Sequence, residues 1–362
     1  MISKGLEDVV VAETNISMVD GEQGRLIYRG VLADDLAEYS TFEEVAYLLL
    51  YGSLPNKSEK DLFGNSLASQ RALPPYVKNI IDVLPADMDM MSVLRTAVSS
   101  IGQSQFNESL HMSHMISIIA KLPTIISYRY RILNGEHPID PNPMLGHTAN
   151  YLYMLKGDIP SKVEVRALEA YFILTQDHGM NPSTFTARIV SSTRSDLISS
   201  ITAAIGALKG PLHGGASSKI TEMLESIGNK ENADIWLRKA IEDGERLMGF
   251  GHRSYKTTDP RSIALRSIAI ELSKESKWLD LAVYVEEVIL NLLKEYKPNR
   301  KLYTNVEFYT AAVMKAIGFN PDLYTPTFAI SRVIGWCAHI TEASEERLIY
   351  PKSVYKGTVN YL

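Results

Sequence analysis

Two histidines of this sequence sit on glycine-bounded turns, His213 in GPLHGG and His252 in GFGHRSY. Gly210-Pro211 breaks one helical stretch and Gly214-Gly215 leads into the next, which puts His213 at or just before a helix N-terminus. The partial positive charge there disfavours imidazolium. A neutral ring in that place can donate a hydrogen bond to a developing enolate; the alternative is a ring that only caps the turn. Gly249 and Gly251 let backbone come close to a ligand, and His252 is followed by Arg253, Lys256 and Arg261. Arg261 falls in the first turn of the next helix. Free backbone N–H groups and a guanidinium together make an anion site there, against the alternative of a solvated basic loop. A third group, Asp177, His178, Asn181 and Arg188 in TQDHGMNPSTFTAR, reads either as a functional cluster or as a polar turn that caps a helix. The fourth candidate is Glu307 in NVEFYT. A carboxylate beside aromatic rings has its pKa raised by desolvation and is equipped to act as a base. It is otherwise an ion-pair partner for a cation such as Arg332, which could equally hold a substrate carboxylate. His111 and His114 are three apart but have no Cys or acidic cluster to complete a metal site. Neither the dinucleotide nor the P-loop glycine fingerprint occurs. Taken together these groups suit carbon–carbon chemistry: one His polarises a carbonyl, a carboxylate removes a proton α to it, and arginines hold a polycarboxylate.

Elements long enough to position such groups are plentiful. A chain of 362 residues suggests two domains, and 45% hydrophobic with 22% charged residues is the balance of a globular protein that can bury a large core. The net charge of −5, without basic runs, argues against a general nucleic-acid or anionic-membrane binder. A single cysteine, Cys337, allows no internal disulfide and suits a reducing compartment. The N-terminus MISKGLEDVVVAET carries Lys4, Glu7 and Asp8 and does not read as a signal peptide. No run approaches the ~18 apolar residues of a membrane span, so the expected location is the cytoplasm. Residues 6–30 predict a β-hairpin, with strand character at Val9, Val11, Leu26 and Tyr28 and a turn at Asp20-Gly21. The remainder predicts helices almost throughout, hence an all-α fold. Thr41 and Glu44 form a capping box, with Gly52 and Pro55 as stops. Asp259 caps a helix whose first residue is Pro260. Leu281, Val285, Val288 and Leu292 make one apolar stripe, and TFAISRVIGWCAHITEASEERL is a further long helix. In residues 196–210, Ala203, Ala204, Gly206 and Ala207 give a smooth face for a close helix contact, within the chain or across a homodimer axis.

Several long motifs, in order, match a known family. GLEDVVVAET, DGEQGRLIYRG, STFEEVAYLLLYG, ANYLYMLKG, STFTARIV, TAAIGALKGPLHGGA, GFGHRSYKTTDPR and NVEFYT resemble the short prokaryotic and archaeal citrate synthases over nearly the whole chain. The resemblance implies an all-helical homodimer with a large domain (1–213 and 313–362) and a small one (214–312), the active site lying in the cleft between them. It implies condensation of acetyl-CoA with oxaloacetate to citryl-CoA, then hydrolysis to citrate and CoA. No metal or cofactor is implied, the CoA thioester being a substrate. By similarity His213 stabilises the acetyl-CoA enol, His252 polarises the oxaloacetate ketone and Glu307 takes the methyl proton. His178, Arg261 and Arg332 bind the oxaloacetate carboxylates, and Lys256 and Arg253 contact the CoA side. The domains are expected to close on oxaloacetate before chemistry.

The sequence departs from the family pattern around this site. Glu307 stands where the family has Asp in NVDFYSG, followed by Thr310 and Ala311. The usual DHE is Asp177-His178-Gly179, the Asn after HGGA is Ser217, and Tyr350 occupies the place of a C-terminal Arg that reaches the partner's substrate, with Arg347 and Lys352 nearby. A Glu carries its carboxylate about an ångström further than an Asp, and misplacement on that scale costs ~10²-fold in rate. Three readings follow: a working citrate synthase, a 2-methylcitrate synthase using propionyl-CoA, and a weakly active regulatory paralogue that binds CoA or dicarboxylate.

Overall fold

Asp20 and the glycines after it turn the chain back on itself, and the hairpin forms in shorter compass than residues 6–30. β1 (Ser17–Asp20) pairs antiparallel with β2 (Arg25–Tyr28), Ser17 opposite Tyr28 and Asp20 opposite Arg25, and β3 (Val31–Leu32) adds to the other edge of β2. Residues 7–16 belong to no strand. Val9 and Val10 are largely exposed there, so the strand expected at Val9 and Val11 finds no ladder: β propensity is a fit to a half-buried pleated surface, and none is present. Leu26 and Tyr28, by contrast, are buried.

The computed structural model describes residues 3–102, 110–214, 216–273, 276–300 and 302–358, apart from the side chains of 216, 217, 272 and 273. Gly215 and the side chain of Ser217 therefore lie outside the described residues. Among those described, everything after the sheet is helical or connecting: α1 (Ala33–Tyr39), α2 (Phe42–Tyr51), α3 (Lys57–Ser69), α4 (Pro75–Val83), α5 (Met90–Ser100), α6 (Met112–Leu133), α7 (His147–Lys156) and α8 (Lys162–Thr175). Then follow α9 (Pro182–Ser192), α10 (Leu197–Leu208), α11 (Ala216–Ile227), α12 (Lys230–Glu242), α13 (Pro260–Ser273), α14 (Lys277–Tyr296), α15 (Val306–Ala316) and α16 (Tyr324–Ala343). The fold is all-α with a small N-terminal sheet.

Local signals explain where the helices begin. Both halves of the Thr41–Glu44 capping box are made at α2, and Gly52 ends that helix in the left-handed region. Asn181, Asp196 and Asn305 cap α9, α10 and α15 by accepting first-turn N–H groups. Among the described residues no helix is long and apolar enough to cross a membrane.

Helices α11–α15 pack on one another, whereas α16 packs on α2, α5, α6, α8, α9 and α10. Nearly the whole length of α16 is buried, Arg332 and His339 included. One close approach fixes its height. The Gly335 N–H donates to the Gln176 carbonyl at 3.1 Å, and a Cβ at Gly335 would stand 2.4 Å from Asp177 Oδ1 and 2.5 Å from the Gln176 oxygen. α13 leans on α1, α8 and β2, and α15 on α8. These contacts set the loop before α13 against the α8–α9 connection, where the rings of His178 and His252 lie 5.4 Å apart. On α10, Ala204 is buried while Ala203, Gly206 and Ala207 stay partly exposed, leaving a smooth outer face.

Candidate active site

The His252 turn is stitched to the start of α15. The Gly251 N–H donates to the Tyr303 carbonyl at 2.7 Å, the Asn305 N–H to Gly249 at 2.9 Å, and Phe250 bridges to Thr304. Gly249 has a φ of +90°, and a Cβ there would lie 2.9 Å from that of Phe308, so only glycine lets the turn sit this close to α15. The Asn305 side chain completes the link. Its Nδ2 donates to the Gly251 carbonyl at 2.8 Å while its Oδ1 accepts the Glu307 N–H at 3.1 Å. Backbone N–H groups of Ser254 and Tyr255 donate to His252 Nδ1 at 3.0 and 3.2 Å. Nδ1 is therefore an acceptor, and the proton of the neutral ring sits on Nε2. Burial, reinforced by Arg261, pushes the His252 pKa down to about 4. Arg261 Nη2 is 3.4 Å from His252 Nε2. Two donors thus converge where an acceptor oxygen of a ligand would complete them.

Asp259, expected only as a helix cap, ties this arrangement together. It is 1% exposed. One oxygen accepts the Arg261 N–H at 3.1 Å and Nε–H at 3.0 Å; the other accepts Arg261 Nη2 at 2.8 Å and the Val306 N–H at 3.1 Å. Burial works against the Arg261 charge, and Asp259 overrides it, leaving the guanidinium pKa raised. One carboxylate thereby orients Arg261 and pins the first turn of α15, which carries the half-buried Glu307.

His213 lies on the turn before α11 as expected, with its N–H donating to the Gly210 carbonyl at 2.9 Å. Its pKa falls to about 4, chiefly from burial and then from the Arg332 charge, so the ring is neutral for a reason additional to the helix terminus invoked from sequence. Nε2 is 2.9 Å from Ser183 Oγ, which also receives the Trp336 indole N–H at 3.1 Å and donates its own proton to Asn181 Oδ1 at 2.8 Å. With its one proton given to Asn181, the Ser183 oxygen accepts from Trp336 and faces His213 Nε2.

Arg332 is 1% exposed, donates from Nε to the Thr175 carbonyl at 2.8 Å and covers the Phe328 ring at 4.6 Å. Its pKa is lowered by burial, against the attraction of Asp177 and Tyr28. Arg332 acts electrostatically on His213, His178, Tyr171 and Arg261 alike, and Glu307 acts on Tyr171. His178 Nε2 meets the Tyr255 hydroxyl at 3.1 Å. Its pKa is driven well down by burial, then by Arg261, His252 and Arg332. These interactions link three neutral histidines and two guanidiniums, with Glu307 close enough to act on Tyr171. The third sequence cluster supplies both the α9 cap, Asn181, and a histidine, His178, set beside His252 and Tyr255.

A groove of about 630 Å³ opens beside His252, lined by Arg246, Arg253, Lys297 and Arg300 among others, with Glu245 the one acidic side chain on its wall. Four cations suit a polyphosphate-bearing ligand. Arg253 is on the groove wall. Lys256 does not line the groove; it is exposed, and its backbone N–H bonds the Gly21 carbonyl at 2.9 Å. Tyr350 is 86% exposed on the tail that follows α16, with Arg347 and Lys352 also exposed. Sequence reasoning missed Ser183, Trp336 and His339. The signal for Trp336 and His339 was the 3.6-residue period of α16, which puts them on one face with Arg332; Ser183, on α9, had none. Among the described residues no three His, Cys, Asp or Glu side chains gather as a metal site.

Comparison with known proteins bears on the chain as a whole. A family profile described as citrate synthase, C-terminal domain, matches residues 5–352. Citrate synthase 2 of Bacillus subtilis is 40% identical over 365 residues, covering 98% of this chain and 96% of its own length. Citrate synthase of Haloferax volcanii is 38% identical over 372 residues, covering 98% and 96%. Among solved structures, citrate synthase from Thermotoga maritima superposes with a TM-score of 0.88 at 40% identity, covering all of this chain and 98% of that one. The Thermoplasma acidophilum enzyme, solved as a ternary complex with carboxymethyl coenzyme A and oxaloacetate, gives 0.91 at 33% identity, covering 100% and 98%.

Proposed function

This chain belongs to the citrate synthase family, a family of acyl-transferring condensing enzymes, and on that premise we propose that it condenses acetyl-CoA with oxaloacetate and hydrolyses the citryl-CoA formed to citrate and CoA. The observation that carries the reading is the pair of partly buried neutral histidines. His252 is locked by two backbone N–H groups into the tautomer that presents Nε2–H beside Arg261, and His213 is backed by Ser183 on Nε2.

In this reading Glu307 takes a proton from the thioester methyl group while the neutral His213 ring hydrogen-bonds the thioester oxygen as it becomes an enol. The enol carbon attacks the oxaloacetate ketone carbon while His252 Nε2–H hydrogen-bonds the ketone oxygen, and the proton that Glu307 removed ends on that oxygen, leaving His252 neutral and Glu307 ionised again. Arg261, Arg332 and His178 hold the two carboxylates. Water then adds to the thioester carbonyl, and the CoA thiol leaves with a proton. Neutral rings suit both steps, because each must donate to an oxygen that gains charge without already carrying a full positive charge itself. The four-cation groove at His252 is assigned to the CoA phosphates, with Arg253 a direct contact and Lys256 a peripheral one. The relative solved with carboxymethyl coenzyme A and oxaloacetate together supports one cleft for both substrates. Helices α11–α15 form the small domain of this proposal. The exposed small-residue face of α10 forms part of a homodimer contact, and the location is cytoplasmic.

The test is free-thiol release from acetyl-CoA and, separately, from propionyl-CoA, each with oxaloacetate. Release with acetyl-CoA at least tenfold faster than with propionyl-CoA supports the reading. The reverse preference moves it to 2-methylcitrate synthesis. No release from either donor, with CoA and oxaloacetate still bound, leaves only a ligand-binding paralogue.

A further inference from the structure

We infer that His339, which no step of the proposed reaction touches, sets the position of the substrate histidine His178 by acting through Asp177. The inference rests on the proposed function for the role of His178 and on this structure alone for the connection. Asp177 and His339 are both completely buried. Asp177 Oδ2 accepts the Ser17 hydroxyl and, at 2.9 Å, the Gly179 N–H. Its Oδ1 faces His339 Nε2 at 3.3 Å. The pair falls outside hydrogen-bond geometry, and among the described residues neither atom has a hydrogen-bond partner, so this close contact is what each is offered. On the far side of the ring, Arg188 Nη1 lies 3.1 Å from His339 Nδ1. A guanidinium only donates, so Nδ1 is bare and the ring proton is on Nε2, turned towards Asp177. Arg188 is itself buried and anchored by Glu342 at 2.7 Å and by Glu346 at the start of the C-terminal tail.

A line of polar contacts, buried from Arg188 onward, therefore runs from Glu342 and Glu346 through Arg188 and His339 to Asp177, and ends one residue from His178. Asp177 is the hub of the turn that projects His178. Its carboxylate holds the backbone at Gly179, its own carbonyl accepts the Tyr28 hydroxyl at 2.8 Å, and its N–H reaches the same oxygen at 3.3 Å. Gly335 leaves the space into which Oδ1 fits. Without His339, that oxygen keeps its burial and loses its N–H. A buried carboxylate in that position turns or takes up a proton. Either change loosens the 177–179 turn, and His178 leaves its place against Tyr255 and His252. His339 is thus a positioning residue, with Arg188 fixing its tautomer.

Four variants test this: His339→Ala, His339→Gln, Asp177→Asn and the Ala/Asn double variant. His339→Ala is expected to raise the oxaloacetate KM about 10- to 100-fold and to leave the acyl-CoA KM within about threefold. Gln, whose Nε2 can donate to Asp177, recovers most of the loss. Asp177→Asn removes the charge that needs compensation, so adding His339→Ala to it costs little more, a non-additivity that marks direct coupling. Equal rises in both KM values, or a fall in melting temperature with KM unchanged, overturn the inference. A readout independent of turnover separates it from the proposed function. In spectra of 15N-histidine-labelled protein, His339 appears as the Nε2–H tautomer, and the His178 ring signals shift in His339→Ala but return in His339→Gln. Unmoved His178 signals in His339→Ala refute the connection, whether or not the wild type releases thiol.

Discussion

Replacing Asp259 by Asn changes one buried atom and two parts of the site. The carboxylate receives four hydrogen bonds, two per oxygen, from Arg261 and the Val306 N–H. An amide has one acceptor oxygen. Whichever way it is turned, two donors then face an NH2 group, so rotating the side chain does not rescue it. The Arg261 guanidinium also stays buried without its counter-charge. Removing one partner of a buried ion pair costs about 3–5 kcal/mol, and with ~2–4 °C per kcal/mol in a large domain the melting temperature should fall on the order of 10 °C. The functional loss has two sources: Arg261 is released, and the first turn of α15 that carries Glu307 is no longer pinned by its Val306 N–H. Misplacement of a catalytic group by about 1 Å costs ~10²-fold, so kcat/KM for both substrates together should fall at least that far. Circular dichroism melts and initial rates of thiol release at pH 7.5 measure the two effects. A melting temperature within 2–3 °C of wild type (under about 1 kcal/mol), with rates within about threefold, would refute the claim that this carboxylate organises the cleft.

Glu307→Gln should abolish turnover, by the ~10²–10⁴-fold worth of a general base, while calorimetry finds oxaloacetate affinity almost unchanged; unaltered rates move the base elsewhere. Glu307→Asp withdraws the carboxylate by about one C–C bond, ~1.5 Å, from a turn that Asp259 and Asn305 prevent from following. Its rate should fall ~10²-fold, and a rate increase contradicts the idea that the cleft is built around Glu. His213 and His252, neutral down to about pH 4 when folded, have ordinary pKa values near 6.5 when unfolded. Their contribution to stability is whole above about pH 6.5 and is lost as pH falls to about 4, because the unfolded chain binds those protons first. Each amounts to about 3 kcal/mol, and a melting temperature that is flat from pH 6.5 to 4.5 rules this out. Gly335→Ala should destabilise by about 1–3 kcal/mol, because its Cβ meets Asp177 and the Gln176 carbonyl. An alanine in an unobstructed helix would instead stabilise by about 1 kcal/mol, so the sign of the change in denaturant midpoint decides.

Much of this protein is local and so was legible in the chain itself. The capping box at Thr41, Asp259 before Pro260, and the stripe of α14 specify helices through bonds and contacts a few residues apart. Glycines around His213 and His252 mark turns whatever packs on them, and the family motifs bring Glu307, Arg261 and Arg332 into one expected site. What failed was local preference without a partner: Val9 and Val11 favour a strand, but no neighbouring strand offers hydrogen bonds there. Lys256 shares a basic loop with Arg253, yet the two diverge because the loop docks on the hairpin at Gly21. The state of each ring was likewise beyond sequence. Two backbone N–H groups choose the His252 tautomer, burial and Arg332 set the charge of His213, and Arg188 turns the His339 proton towards Asp177. Asp259 was visible as a cap, but its second role joins residues 47 apart, and the Ser17–Asp177 bond spans 160. The sequence by itself determined which residues are chemically able to act. Only the tertiary structure decided which of their atoms carry protons and where they point, because those choices are made by burial and by donors that come from distant parts of the chain.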